Sequence, residues 1–273
     1  MGIGLMVGSK TACTAVNLVD LNNSNCKYRP SKTVNVSTYN IANARGDTDN
    51  FFKRVKKAEQ IGNLERIVGF AKQEDLDVLC MNEVDFNSHR TDFVNQAKYL
   101  AKKLCFNHVL EDRYVDLGPA LSMGNAVISK FPIKVNKVVR YGDSTAERFF
   151  HMFKGYVDFT TGGIDYILTH FDAESEVARI EEAQIVIEHL KTKKGPFVLL
   201  GDFNAEPGSQ SLNSIIYSGY IVGPPSYLKT YPCRTPRKRI DHILVSPDVR
   251  LKNYRSTYVK ASDHRPVVGK ILI

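Results

Sequence analysis

Short apolar runs and alternating patterns recur along the chain from residue 33 onwards, and most of them predict β-strands. Residues 33–41 alternate between apolar and polar positions and are rich in β-branched side chains. Residues 76–81 form a largely apolar run that is typical of a buried strand. The same reasoning predicts further strands at residues 125–129, 135–140, 149–159, 164–170, 196–200, 240–245, 251–259 and 267–273.

Helical spacing separates several of these strands. Apolar residues repeat every three or four positions within residues 49–73, 93–104 and 177–190, and a short helix is predicted after Ser209. No repeat, linker or change of composition interrupts the chain after residue 33. We therefore predict one domain over residues 33–273, with two sheets packed together and helices outside them. The polar residues 1–32 are predicted to form a loosely structured or peripheral arm.

Composition and charge indicate which binding partners and which cellular compartment to expect. The chain has 273 residues, 43% of them hydrophobic, and a formal charge of +8, which favours polyanionic partners such as nucleic acid. Its five cysteines contain no C-x-x-C pair and Cys80 lies in an apolar run, so we expect thiols in a reducing compartment. No apolar run is long enough to span a bilayer, and the first ten residues lack a basic signal-peptide start. We expect a cytoplasmic or otherwise intracellular monomer.

The most concentrated chemistry lies in residues 201–207, directly after the apolar run 196–200. Asp202 and Asn204 are two residues apart, so their side chains point the same way while the backbone stays extended. Asp202 can take a proton or hold a water, and Asn204 can donate to an oxyanion without adding negative charge. Taken alone, the pair is equally compatible with an Asx-rich turn after a strand.

Other predicted strands carry polar, metal-competent residues at their ends as well. These residues are Asn40, Glu83, His170, Asp241, Asp263 and His264. If the strand ends face one side, they form a site with several carboxylates, two imidazoles and two carboxamides. Such oxygen-rich ligands suit Mg²⁺ or Mn²⁺ better than Zn²⁺. A hard cation beside two histidines and a water-holding carboxylate predicts hydrolysis of a phosphate ester.

The ordered set of motifs resembles the endonuclease/exonuclease/phosphatase superfamily from about residue 33 to the C-terminus. The matching segments are residues 39–40, 82–84, 124–132, 169–172, 201–204, 239–243 and 262–267. Each motif is weak alone, but the whole set in this order is specific. The resemblance implies an α/β fold of the deoxyribonuclease I type, a four-layer αββα sandwich with two mixed sheets face to face. Its active site would lie at the strand ends.

That resemblance also implies how the metal and the water are held. Glu83 would be the principal Mg²⁺ ligand, with Asn40 and Asp263 beside it, and Mn²⁺ could replace Mg²⁺. Asp202 would orient or deprotonate the attacking water. Asp172, which follows the Thr-His motif, is interpreted instead as the N-cap of the next helix.

The resemblance assigns the phosphate to a second group of residues. Asn204 would hold a phosphate oxygen, and His264 would contact the phosphoryl oxygens while Asp241 holds its tautomer. His170 would act near the scissile phosphate as an acid or electrostatic helper. Arg148 would be aimed at phosphate, as an arginine is in some nuclease relatives.

Three functions stay open at this point. A Mg²⁺-dependent nuclease acting on DNA or RNA is favoured by the net charge. The basic residues Arg234, Arg237, Lys238 and Arg239 could border the site and meet a nucleic-acid backbone or an anionic headgroup, and a solvated loop is an equal alternative for them. The alternative is a phosphodiesterase or phosphatase acting on phospholipid, as sphingomyelinases do, or on small phosphorylated molecules. A catalytically inactive binding relative would have lost part of the catalytic set, and none of that set is missing.

Overall fold

The computed structural model describes residues 15–22, 28, 32–48, 55–142, 154–224 and 227–272. The strands found there are Ala15–Asp20 (β1), Thr33–Asn40 (β2), Val78–Asp85 (β3), His108–Asp116 (β4), Ser122–Ser129 (β5), Lys134–Arg140 (β6), Gly155–Thr161 (β7), Ile164–His170 (β8), Phe197–Asp202 (β9), Asp241–Val245 (β10), Arg250–Ser256 (β11) and Val267–Leu272 (β12). They form a seven-stranded sheet, in the order β1-β4-β5-β3-β2-β12-β11, and a five-stranded sheet, in the order β10-β9-β8-β7-β6.

The two sheets pack face to face through a buried apolar layer. Val36 and Cys80 of the larger sheet share one cluster with Phe159, Leu168 and Leu200 of the smaller sheet. These side chains alternate along their strands with residues that point outward, as the two-residue period of a strand requires. Both sheets are mixed, because β2 and β3 run parallel, as do β8 and β9, while the other pairs are antiparallel.

Helices cover the outer faces of both sheets. The described helices are Lys57–Gln73 (α1), Gln96–Leu104 (α2), Glu176–Leu190 (α3) and Gln210–Ile216 (α4). Leu64 of α1 and Leu100 of α2 pack with Leu79 of the larger sheet, and Val186 of α3 packs with Leu199 of the smaller sheet. The predicted four-layer αββα sandwich is therefore confirmed.

The caps of the later helices follow their local sequence, with one correction. Ser209 caps α4 by accepting a hydrogen bond from the backbone N–H of Leu212 at 3.3 Å. The N-cap of α3 is Ser175, not Asp172 as predicted. Asp172 lies three residues earlier and accepts from the backbone N–H of Ser175 at 2.6 Å, so it shapes the turn that leads into the helix.

Two strands of the larger sheet were not predicted, and two helices begin later than expected, α1 at Lys57 and α2 at Gln96. β1 lies within the predicted arm, where it pairs with β4 at the outer edge of the sheet. β4 escaped prediction because Glu111 and Asp112 interrupt its apolar pattern, although both are buried. Phe93 was expected on the apolar face of α2, but it precedes the helix and is 55% exposed. The division at residue 32 stays a prediction.

The cysteines differ from the expected set of thiols. Cys80 and Cys233 are buried thiols, as expected for Cys80, and burial raises the pKa of both. Cys105, at the C-terminus of α2, is disulfide-bonded to a partner outside the described residues. The expected compartment stays a prediction. Among the described helices, none is both long and apolar enough to cross a membrane.

Candidate active site

Strand register brings the predicted residues to one edge of the sandwich. Asn40 ends β2 beside Asn82 of β3, and His170 ends β8 beside Asp202 of β9, because both pairs are parallel. Asp241 begins the antiparallel strand β10 and lies opposite Asp202. The Asn40 Nδ2 donates to Asp202 Oδ2 at 2.9 Å, so the polar ends of the two sheets meet in one buried cluster.

Gly201 allows β9 to end in this cluster. Its φ of +142° is rarely adopted by other residues, and a Cβ there would lie 2.0 Å from the carbonyl oxygen of Thr169 on β8. The chain then turns sharply, because Asp202 Oδ1 accepts from the backbone N–H of Asn204 at 2.9 Å. The Asx turn considered for this sequence is therefore present, and it forms part of the site.

Asp202 lies at the centre of the cluster with only 1% of its surface exposed. Burial and the neighbouring Asp241 raise the pKa of its carboxyl to about 6, against the opposing effects of His264, Asn40 and the Asn204 backbone. A carboxylate with this pKa is still mostly ionised at neutral pH, yet it is a stronger base than an ordinary aspartate. Asp202 therefore has the properties that a general base for water needs.

His264 and Asp241 form a buried ion pair. The His264 Nδ1 lies 2.9 Å from Asp241 Oδ2, and its Nε2 faces Asp202 Oδ2 at 3.8 Å. Burial alone would lower the pKa of His264, but the carboxylates of Asp241 and Asp202 outweigh it and raise that pKa to about 10. The ring is thus an imidazolium at neutral pH, oriented by Asp241 and packed 4.9 Å from the ring of Tyr231.

Glu83 enters the site through an irregularity in β3. It has a positive φ of +53°, and the register with β5 shifts between Met81 and Val84. This bulge turns the Glu83 side chain towards Asn40, whose Nδ2 donates to Glu83 Oε1 at 3.0 Å. The second oxygen, Glu83 Oε2, is buried and accepts no hydrogen bond.

Asp263, the third predicted metal ligand, is held by a residue that the sequence did not indicate. Arg45 donates from its NH2 group to Asp263 Oδ2 at 2.7 Å, and both side chains are at least 90% buried. The hydroxyl of Ser262 approaches Asp263 Oδ1 at 3.3 Å. The Arg45 NH1 group also lies 3.9 Å from Glu83 Oε2. The positively charged guanidinium of Arg45 is therefore already buried among the residues expected to hold the metal.

His170 joins the cluster as a neutral ring. Its Nε2 lies 3.7 Å from Asp202 Oδ2, and its Nδ1 lies 3.4 Å from the hydroxyl of Tyr114. Burial, with help from the nearby charges of Lys154 and His264, holds the pKa of His170 well below its usual value. The two histidines thus differ in charge, because only His264 has a carboxylate partner within hydrogen-bond distance.

Asn204 lies at the mouth of the cluster. One proton of its side-chain amide is donated to the carbonyl oxygen of Phe171 at 3.0 Å, which also accepts from the ammonium of Lys154 at 3.0 Å. An amide nitrogen carries two protons, so a second one remains for a substrate oxygen. Arg148, the predicted phosphate-binding arginine, lies outside the described residues.

Four residues contribute to the site although the sequence assigned them no role, and they differ in whether a sequence motif could have indicated them. Asn82 belongs to the motif that carries Glu83, and its Oδ1 accepts from the backbone N–H of Asp202 at 3.0 Å. Arg45, Tyr114 and Lys154 belong to none of the motifs that resemble the family. Their roles depend on burial beside residues that are far away in the sequence, which local patterns do not show.

A sequence model of the endonuclease/exonuclease/phosphatase family matches residues 37–264. The chain belongs to this family. Among curated proteins, none matches the sequence. Members of the family hydrolyse phosphoric esters, and the polar strand ends described above fall within the matched residues.

Solved structures of family members show the same fold at low sequence identity. A family protein from Beutenbergia cavernae has a TM-score of 0.68 and 23% identity, covering 89% of this chain and 72% of that one. ANGEL2, a 2′,3′-cyclic phosphatase in complex with adenosine-2′,3′-vanadate, has a TM-score of 0.65 and 16% identity over 94% and 98%. A mannosyl-6-phosphatase from Bacteroides thetaiotaomicron has a TM-score of 0.61 and 17% identity over 88% and 100%.

Family members generally depend on a divalent metal, and the site has a carboxylate oxygen that could bind one. Glu83 Oε2 is the only carboxylate oxygen in the described chain that is buried without a hydrogen-bond donor. Asp202, Asp241 and His264 also offer ligand atoms within 4.8 Å of one another. Those three are already engaged with each other, Asn40 and the Asn204 backbone, so Glu83 fits a hard cation better.

Proposed function

We propose that this protein is a Mg²⁺-dependent hydrolase that cleaves phosphodiester bonds in nucleic acid. The observation that carries the proposal is the buried grouping of a raised-pKa carboxylate, Asp202, with the charged pair of His264 and Asp241. These groups can supply a base for water and a fixed positive charge for the phosphate at neutral pH. Glu83, with Asn40 beside it, would hold the metal.

The proposed reaction is an attack of water on phosphorus. Asp202 takes a proton from the water as the new P–O bond forms, and the bond to the leaving oxygen breaks while that oxygen takes a proton from solvent water. The His264 imidazolium and the Asn204 amide stabilise the negative charge on the non-bridging oxygens. A bound divalent ion would polarise the phosphoryl group and help to offset its charge.

A hairpin beside His264 supports a polyanionic substrate. Residues 231–238 form a tight turn closed by hydrogen bonds between Tyr231 and Lys238, and the Cys233 N–H binds the Asp263 carbonyl at 2.6 Å. The exposed side chains of Arg237 and Lys238 lie on this hairpin, which is therefore fixed next to the site. Arg239, which the sequence placed with them, is buried and packs against Tyr254 instead.

A second candidate is hydrolysis of a small or lipid-borne phosphoric ester. The neighbouring structures support it, since one is a 2′,3′-cyclic phosphatase and another a mannosyl-6-phosphatase. An inactive relative is the weakest candidate, because Glu83, Asp202 and His264 are all present and lie in the same buried cluster.

The test offers the purified protein DNA, RNA, sphingomyelin, a sugar phosphate and a chromogenic phosphodiester, each with Mg²⁺ or with EDTA. We expect nucleic acid to be cleaved with Mg²⁺ and the rate to fall roughly 10²–10⁴-fold in Asp202→Ala, which lacks the base. Asp248→Ala, which removes an exposed carboxylate between β10 and β11, is the matched control and should keep full activity. Activity in EDTA, or full activity of Asp202→Ala, would refute the mechanism. Turnover of the lipid or sugar phosphate alone would refute only the substrate class.

A further inference from the structure

The segment that follows Asn40 has an unusual backbone. Ala42, Asn43 and Ala44 have φ values of +45°, +54° and +55°, so three successive residues other than glycine adopt a left-handed turn. A Cβ atom disfavours this conformation, and single residues adopt it far more often than runs do. Strain of this kind persists only where the surrounding structure holds it, and it is concentrated at functional sites.

Side-chain amides from two helices hold the turn. Asn63 of α1 donates to the Ala44 carbonyl at 2.8 Å, and Gln96 of α2 donates to the Asn43 carbonyl at 2.7 Å. Arg90 donates to the side-chain oxygen of Asn43. The two amides supply hydrogen-bond donors to backbone carbonyl groups of the turn, which a left-handed conformation leaves without helical partners. The turn is therefore a built feature of the fold.

The turn delivers Arg45 to the catalytic cluster. Arg45 follows Ala44 directly, and its guanidinium binds Asp263 Oδ2 at 2.7 Å while lying 3.9 Å from Glu83 Oε2. A buried arginine and aspartate in contact compensate each other's charge, so neither is readily given up to another partner. The family resemblance would make Asp263 a metal ligand, whereas here it is the counter-ion of Arg45.

We propose that Arg45 is a positioning residue that removes Asp263 from the metal's ligand set, so that the site takes one divalent ion on the Glu83 side. The guanidinium then provides a permanent second positive charge next to that ion. The inference rests on the proposed function only for the presence of a divalent ion. It predicts that Asp263 contributes to metal binding through Arg45 and not by direct ligation.

The experiment counts bound Mn²⁺ by electron paramagnetic resonance in the full chain, without substrate. We expect one ion per wild-type chain, and a loss of affinity of more than roughly 100-fold in Glu83→Gln, which removes the ligand. Arg45→Met should bind Mn²⁺ roughly tenfold more tightly or better, because a neighbouring positive charge is gone. Wild-type binding of two ions, or unchanged affinity in Arg45→Met, would overturn the proposal.

The decisive variant is the double substitution Arg45→Met with Asp263→Asn, which keeps the local charge neutral. If Asp263 is no ligand, this variant should bind Mn²⁺ within roughly threefold of wild type, since the net local charge is unchanged. A loss as large as that of Glu83→Gln would show that Asp263 ligates the metal and would refute the proposal.

A second measurement keeps the test informative if one variant folds poorly. In EDTA, Arg45→Met should lower the urea midpoint because it leaves Asp263 buried without its partner, and the double substitution should recover most of the loss. No recovery would contradict the pairing of the two residues. A protein with this Mn²⁺ pattern that cleaves no phosphodiester would refute the proposed function and leave this inference standing. A protein that binds no Mn²⁺ would refute both.

Discussion

Asn82 is the clearest point at which the fold and the site depend on the same side chain. It is fully buried in β3, and its amide makes three hydrogen bonds, two of them across the sandwich. The Nδ2 donates to Asn125 Oδ1 at 2.8 Å and to the Thr169 carbonyl at 3.0 Å, and the Oδ1 accepts from the Asp202 N–H at 3.0 Å. Two of these partners lie in the other sheet, so Asn82 joins the sheets directly beneath Asp202.

Replacing Asn82 with alanine should therefore be costly. Each buried group left without its partner costs about 1–3 kcal/mol, and water entering the cavity would restore part of that loss. We expect the free energy of unfolding to fall by about 3–5 kcal/mol, which is large for a single substitution. The measurement is urea denaturation at equilibrium, followed by tryptophan-independent probes such as far-ultraviolet circular dichroism, because the chain has no Trp.

Asn35→Ala is the matched control. Asn35 lies in β2 and its Nδ2 donates to the Asp75 carbonyl at 2.9 Å, but this contact is exposed to solvent. Its loss should cost no more than about 1 kcal/mol, since water can replace the amide. If Asn82→Ala costs as little as this control, the bonds across the sandwich do not contribute as we infer, and the reasoning fails.

Three further predictions concern the backbone, the pH dependence and the cysteines. Gly201→Ala places a methyl group 2.0 Å from the Thr169 carbonyl and should cost about 3 kcal/mol or more by urea denaturation, against about 1 kcal/mol for Gly208→Ala, where nothing lies within 4 Å. Burial lowers the pKa of His242 from 6.5 to about 4, so the unfolded chain binds a proton first and stability is lost as the pH falls through this range. The loss should reach about 3 kcal/mol and should shrink in His242→Gln; an unchanged pH profile would contradict it. Thiol titration of the denatured chain should find three thiols before reduction and five afterwards, whereas five throughout would exclude the Cys105 disulfide.

The sequence predicted a strand or helix correctly where the apolar and polar residues of that segment alone followed the period of the element. The alternation in β2 and the apolar run in β9 are examples. Their buried side chains pack against other apolar side chains, so no charged partner from elsewhere in the chain is needed. β4 is the counterexample. Its Glu111 and Asp112 are buried because Arg113 and Arg140 pair with them, and Arg140 comes from the other sheet. A pattern confined to β4 contains no information about that partner.

The same distinction holds for the site. The sequence by itself determined which strand ends carry polar and ionisable side chains, because the side chains of a strand alternate and the order of the motifs is read directly from the chain. Only the tertiary structure decided which of those groups pair with one another. Arg45 and Asp263 are 218 residues apart, and their pairing leaves Glu83 Oε2 as the one buried carboxylate oxygen without a hydrogen-bond donor among the residues that the structure describes. The charge on His264 likewise depends on Asp241 and Asp202 meeting around one ring. Charge and burial are set by neighbours in space, so they could be established only once the chain was folded.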